Sequence, residues 1–180
     1  MKFLALLFVL IFSCAVYGQD ALNSQKPKAF IIPSELILPV VASQPGCPLR
    51  FENVRSIFYI DRSGTAETFN LRNIGNRPIR DFTVAAYNSY GGMWSKSRPK
   101  TELQRLVLTG ETASVGGEEE VEIIPLNDEL RTKFKFTDRP MGGVVVLMVV
   151  KVEFADGTVF SDEKASKALE AYFKKLGEYQ

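Results

Sequence analysis

The sequence predicts a mainly β protein: an immunoglobulin-like β-sandwich of about seven strands with one C-terminal amphipathic helix. Three observations predict it. Gly142 to Phe160 is the most apolar run outside the N-terminus, and it is rich in valine. From Leu49 onward, short alternating runs are separated by turn residues roughly every 8–12 positions, the spacing of a sandwich or barrel. After Phe160 the period changes, and Ala165, Leu169, Tyr172, Phe173 and Leu176 fall at helical intervals.

The N-terminus reads as an address rather than as fold. Met1-Lys2 is a short basic segment, Phe3 to Phe12 is unbroken apolar sequence, and Val16-Tyr17-Gly18 forms a cleavage site before Gln19. Residues 1–18 are therefore expected to be a secretory signal peptide, and the apolar run is too short to cross a bilayer. An alternative stands beside it. Ile11-Phe12-Ser13-Cys14 resembles a bacterial lipobox, with Phe12 departing from the small or aliphatic residue usual there. Lipidation at Cys14 would make the protein a membrane-anchored envelope lipoprotein. Both readings export the chain, to the periplasm or beyond in the first and onto a membrane in the second.

Removal of residues 1–18 leaves 21 basic and 21 acidic side chains, which gives no general case for a nucleic-acid partner. It also leaves Cys47 as the sole cysteine, so no internal disulfide staples the fold. About 160 residues are enough for a hydrophobic core to carry a domain alone. No transmembrane span is expected after the leader.

The elements follow in order. Residues 19–34 are expected to be a flexible lead, and prolines 27, 33, 39, 45 and 48 interrupt the region. The sandwich is expected over 35–160. Ile37 to Ala42 suits an edge strand, where proline is tolerated. Strands are predicted over 49–61, 65–73, 79–87, 103–109 and 118–124, with a weaker candidate over 130–136. In the fourth-from-last of these, Phe82, Val84 and Ala86 share one side. Across 144–154, Val144, Val146, Met148, Val150, Val152 and Phe154 form one alternating apolar set, expected to face a single buried side. Asp156-Gly157 predicts a type I′ hairpin, with Phe154 opposite Val159. Ser161 to Glu163 supply a cap and acidic residues for a helix over 161–180, with Lys174 and Lys175 in its last turn.

One stretch resembles a known family. Phe69-Asn70-Leu71-Arg72-Asn73-Ile74-Gly75-Asn76-Arg77-Pro78-Ile79, followed by Phe82, Val84 and Tyr87, is similar to the strand–turn–strand of bacterial exported immunoglobulin-like domains of the CARDB type. A Gly-Glu pair such as Gly117-Glu118 precedes a later strand in that pattern. The similarity covers about half of the mature chain and omits the lead and the helix. It implies an adhesive, spacer or accessory module. Physically, Asn73 is expected to close an Asx-turn, Gly75 to supply positive φ, and Pro78 to fix φ where the next strand starts.

Chemistry is constrained more by absence than by motif. There is no histidine, which removes Ser-His-Asp and Cys-His catalysis and histidine-ligated metals. Cys47, between Gly46 and Pro48, has no identifiable base and reads as an inert thiol. Glu118, Glu119, Glu120, Glu122, Asp156, Asp162 and Glu163 admit a carboxylate-dependent hydrolase, yet a wet strand face and a turn account for them as well. No cofactor and no metal site is indicated.

Gly91 to Lys100 reads as a long loop carrying the only tryptophan. Tyr90, Trp94, Lys96 and Arg98 are its candidate partner-binding residues, since loops on rigid scaffolds and Trp, Tyr and Arg side chains dominate recognition. The competing account is that Trp94 plugs one end of the sandwich. The C-terminal helix is the other candidate surface for a protein partner. The expected function is an exported, non-catalytic binding or envelope-accessory module.

Overall fold

The computed structural model describes residues 26–61, 64–90, 93–97, 100–116, 121–135 and 143–177. Residues 1–18, expected to be a signal peptide, lie outside them, Cys14 included. In chain order the strands are β1 (Lys28–Ile31), β2 (Ile37–Val41), β3 (Leu49–Tyr59), β4 (Gly64–Asn73), β5 (Ile79–Tyr90), β6 (Met93–Ser97), β7 (Lys100–Val107), β8 (Thr112–Val115) and β9 (Glu122–Ile123). A short helix, α1 (Asp128–Lys133), precedes β10 (Gly143–Phe154) and β11 (Val159–Ser161), and α2 (Glu163–Gly177) ends the fold.

The strands form two sheets. One has the order β8-β4-β3-β1-β9. In the other, β10 and β5 form the centre; β2 and β11 share the outer side of β10, while β6 and β7 share the outer side of β5. Neighbour order β3-β4-β8 and β7-β5-β10-β11 is that of strands A-B-E and C′-C-F-G of the immunoglobulin sandwich. The expected fold class is therefore the one observed, with β1, β2, β6 and β9 added to the seven-strand frame.

Alternation builds the core. Phe30, Leu71, Phe82, Val84, Val145, Leu147, Val149 and Val152 pack between the sheets, each nearly or fully buried. Helix α2 covers the outer face of the second sheet, where Phe173 packs on Ala85, Tyr87, Met148 and Val150. Tyr87 stacks on Phe173 at 5.9 Å, and its hydroxyl donates to the Ser166 carbonyl at 2.8 Å. The helix is thus docked.

Several sequence expectations are corrected. The lead is not flexible from Lys28 on: β1 pairs with β3, and Ala29 and Phe30 are 0% exposed. The apolar Ala29-Phe30-Ile31 run gains more by burial than a tether would retain in entropy. The segment over 130–136 begins in a helix, because Asn127 Oδ1 accepts from the Leu130 N–H at 2.9 Å and Asp128 and Glu129 occupy the first turn. Leu126, Leu130 and Phe134 pack on the core at helical spacing.

The apolar set on β10 does not share one face. Val149 pairs with Val84 but Lys151 pairs with Thr83, so a bulge intervenes and reverses the alternation. Val145, Leu147 and Val149, then Val152 and Phe154, face between the sheets, while Met148 and Val150 lie under α2. The gap this leaves beside β10 is filled by a side chain. Gln44 Oε1 accepts from the Val149 N–H and its Nε2 donates to the Val149 carbonyl, both at 2.7 Å, and to Asp162 Oδ2 at 2.9 Å. One amide stands in for a missing strand residue between β2 and β11.

The final hairpin exists with a different turn. Glu153, not Phe154, lies opposite Val159. Gly157 donates to the Phe154 carbonyl at 3.1 Å and alone in the turn has positive φ, at 81°. That is a type I turn followed by a glycine bulge. The shift of one residue sets Phe160 opposite the buried Val152, and so on the core side.

Candidate functional site

The outer face of the five-stranded sheet carries a hollow of about 360 Å³. Its position follows from a bulge in β3. Glu52 lies opposite Asn70 and Arg55 opposite Thr68, so two residues, Asn53 and Val54, face the single Phe69. Asn53 takes φ of 54°, a left-handed conformation that asparagine tolerates better than most residues. The extra residue reverses the side-chain alternation. Leu49 and Phe51 face the core before it, and Val54 and Phe58 face the core after it. Arg55 and Ile57 are thereby turned outward.

The lining is mixed. Arg55 is exposed and has no carboxylate partner among the described residues. Beside it lie Asn53, Asn70, Thr68 and Ser114, and the Ser114 hydroxyl donates to Asn70 Oδ1 at 2.9 Å. Thr68 is 8% exposed, lines the hollow, and makes no hydrogen bond through its hydroxyl among the described residues. Ile31, Ile57 and Ile123 supply the apolar part. The hydroxyl itself is not shut off from solvent and opens into the hollow. An open hollow lets water or a ligand satisfy it.

A second hollow, about 390 Å³, lies at one end of the sandwich between residues 46–48, 74–77 and the rings of Phe154 and Phe160. Its charged group is already engaged. The Arg77 guanidinium lies 3.7 Å from the Phe154 ring centre, donates to Thr158 Oγ1 at 2.5 Å and stands 3.7 Å from Asp156. Hydrogen bonds from the Thr158 hydroxyl and N–H hold the Asp156 carboxyl below its ordinary range, aided by Arg77. Cys47 borders this hollow, and burial pushes its thiol pKa up, against the opposing effect of the Leu49 backbone. A protonated, half-buried thiol is a poor nucleophile.

The turn at 74–77 is anchored by Asn73, which is 0% exposed. Its Oδ1 accepts from the Gly75 N–H at 3.0 Å, the expected Asx-turn. Positive φ is not the role of Gly75, which lies outside the positive-φ glycines. The constraint is space: a Cβ there would stand 3.1 Å from Pro48 Cβ.

The residues read from sequence as a binding loop belong to the second sheet. Tyr90 ends β5 opposite Met93, Trp94 pairs with Ser89, and Lys96 pairs with Tyr87. Gly91 to Lys100 is thus not one long loop. The strand β5 runs on to Tyr90 and leaves an open edge, which β6 fills; the two glycines between the paired Tyr90 and Met93 were the hairpin signal. Lys96 Nζ forms an ion pair with Glu170 of α2, so this cation is spent on docking the helix. Arg98 lies outside the described residues.

The carboxylates read as a hydrolase candidate do not converge where they are described. Asp156 closes its own turn, Asp162 is held by Gln44, and Glu122 is exposed on β9. Glu118, Glu119 and Glu120 lie outside the described residues. Among the described residues no three metal-ligating side chains come together, and no helix is long and apolar enough to cross a membrane.

Sequence reasoning missed Asn53, Arg55 and Ser114. The core-facing positions of β3 switch from odd, at Leu49 and Phe51, to even, at Val54 and Phe58, but the apolar Ile57 and Tyr59 stay at odd positions and mask the switch in the sequence. No family model, curated protein or solved structure matches this chain.

Proposed function

We propose that this protein is an exported, non-catalytic binding or accessory module of the cell envelope, and that it recognises its ligand on the outer face of the five-stranded sheet. The observation that carries the reading is the hollow at the β3 bulge. There a guanidinium with no carboxylate partner among the described residues and the Thr68 hydroxyl meet amides and isoleucines on a rigid sheet. Binding sites are concave, partly apolar and marked by a few fixed polar groups. The Asn73–Pro78 turn and its similarity to CARDB-type domains fit an accessory role. Export rests on the leader at 1–18, and anchoring through Cys14 is the membrane-bound form of the same function.

The test is nuclear magnetic resonance mapping with the low-molecular-mass fraction of an envelope extract. Amide signals of Asn53, Arg55, Thr68, Asn70 and Ser114 are expected to move together. Movement confined to β6 and α2, or none, overturns the reading. The intact mass of the mature chain separates a Gln19 start from a lipidated Cys14.

A further inference from the structure

We propose that the hollow selects a carboxylate carried on a short aliphatic body, either a free acid or the C-terminal residue of a peptide. This rests on the hollow being the recognition site.

The polar lining is rich in donors. Arg55 offers a planar fork of N–H groups that matches a carboxylate in two-point geometry. Asn53, Asn70 and Thr68 add donors on the same side. No acidic residue lines the hollow among the described residues. The nearest carboxylate along β3, Glu52, is engaged by Arg50 at 2.8 Å, and the neighbouring Arg72 on β4 is a further exposed cation. Among the described residues a cationic ligand would therefore meet only like charge. An anion gains the full attraction of Arg55 without having to displace a partner carboxylate.

The rest of the lining decides the body of the ligand. Ile57 is 0% exposed at the base, and Ile31, at 38%, and Ile123 border it. These are aliphatic surfaces. Phe69, the aromatic neighbour, is 6% exposed and turned toward the core, where it meets Phe51 edge-on at 5.2 Å. Among the described residues no ring is presented as a platform for a sugar, which favours an aliphatic acid over a glycan. At about 360 Å³ the space is at the small end of ligand sites, which span roughly 300–1,000 Å³.

The experiment is a titration followed by amide resonances, with four probes: hexanoate, hexanol, N-acetylated Ala-Leu-Val with a free C-terminus, and the same peptide amidated. Saturable shifts at Asn53, Arg55, Thr68 and Ser114 are expected with hexanoate, with the free peptide, or with both; which of them binds names the source of the carboxylate. Arg55→Gln is expected to weaken binding about tenfold, the value of one charge-assisted pair. Thr68→Val is expected to weaken it and Thr68→Ser to restore it, with Arg72→Gln neutral. Thermal melts confirm that each variant is folded. Equal binding of hexanol or the amidated peptide overturns the carboxylate assignment while leaving the hollow a binding site. Absence of saturable shifts with either acid also overturns it, and the extract titration then decides the broader reading independently.

Discussion

Replacing Asn73 by alanine tests the joint that holds β4, the 74–77 turn and β7 together. The side chain makes three bonds. Its Oδ1 accepts from the Gly75 N–H at 3.0 Å, and its Nδ2 donates to the carbonyls of Arg77 at 2.9 Å and Val107 at 3.0 Å. The backbone bonds of Asn73, from its N–H to the Glu111 carbonyl and to its carbonyl from the Gly110 N–H, survive the change. Each lost bond contributes about 1 kcal/mol net, and the buried Val107 carbonyl is left without this donor, so the loss is about 3 kcal/mol. In a chain of this size 1 kcal/mol moves the melting temperature by about 2–4 °C. Asn73→Ala is therefore expected to melt about 6–12 °C below wild type by far-ultraviolet circular dichroism. Asn73→Asp preserves the acceptor for Gly75, but at neutral pH it sets a carboxylate against two carbonyl oxygens. It is expected to fall at least as far as alanine. An alanine variant within about 2 °C of wild type, or an aspartate variant that melts normally, would refute the reasoning.

Two further outcomes follow from the packing. Phe173→Ala removes the ring that stacks on Tyr87 beneath α2, and a buried Phe→Ala change costs about 3–5 kcal/mol. Hydrogen exchange of the α2 amides is expected to accelerate far more than that of β3 and β4; uniform protection in the variant would mean the helix is held by other contacts. Burial raises the Cys47 pKa, so iodoacetamide labelling near pH 8.5 is expected to be at least about tenfold slower in the native protein than in urea. The sign extends to stability. A thiol whose folded pKa is raised contributes fully below its unfolded value and loses that contribution as pH rises through the folded value. Equal labelling rates in the two states would show that the thiol is neither shielded nor shifted.

The short-range grammar of the fold was legible. Alternation marked β3, β4, β5 and β10, the proline-bearing Ile37–Val41 was readable as an edge strand, and the Asx-turn at Asn73 appears as expected. These features depend on residues a few positions apart. Pro39 shows how local the rule is. Leu36 and Ala42 direct their backbone groups at β10, which places the odd positions of β2, and so the missing N–H of Pro39, on the outward edge.

What failed to be read depends on partners distant in the chain. The alternation of β10 reverses at Val149 because Gln44, 105 residues away, satisfies the backbone there. Lys28–Ile31 becomes a strand because the edge of β3 is available to it, and Met93–Ser97 because the edge of β5 is. The hollow exists only where β3, β4, β8 and the chain at Ile123 meet, and no single segment of sequence contains it. By itself the sequence determined a β-sandwich frame, a docking-competent helix and the lack of histidine chemistry, all fixed by composition and near-neighbour periodicity. The tertiary structure alone decided which face each side chain takes past a bulge, and therefore that Arg55 and Thr68 share one open site. A bulge reverses every side chain beyond it, and its stability is set by contacts that local sequence does not hold.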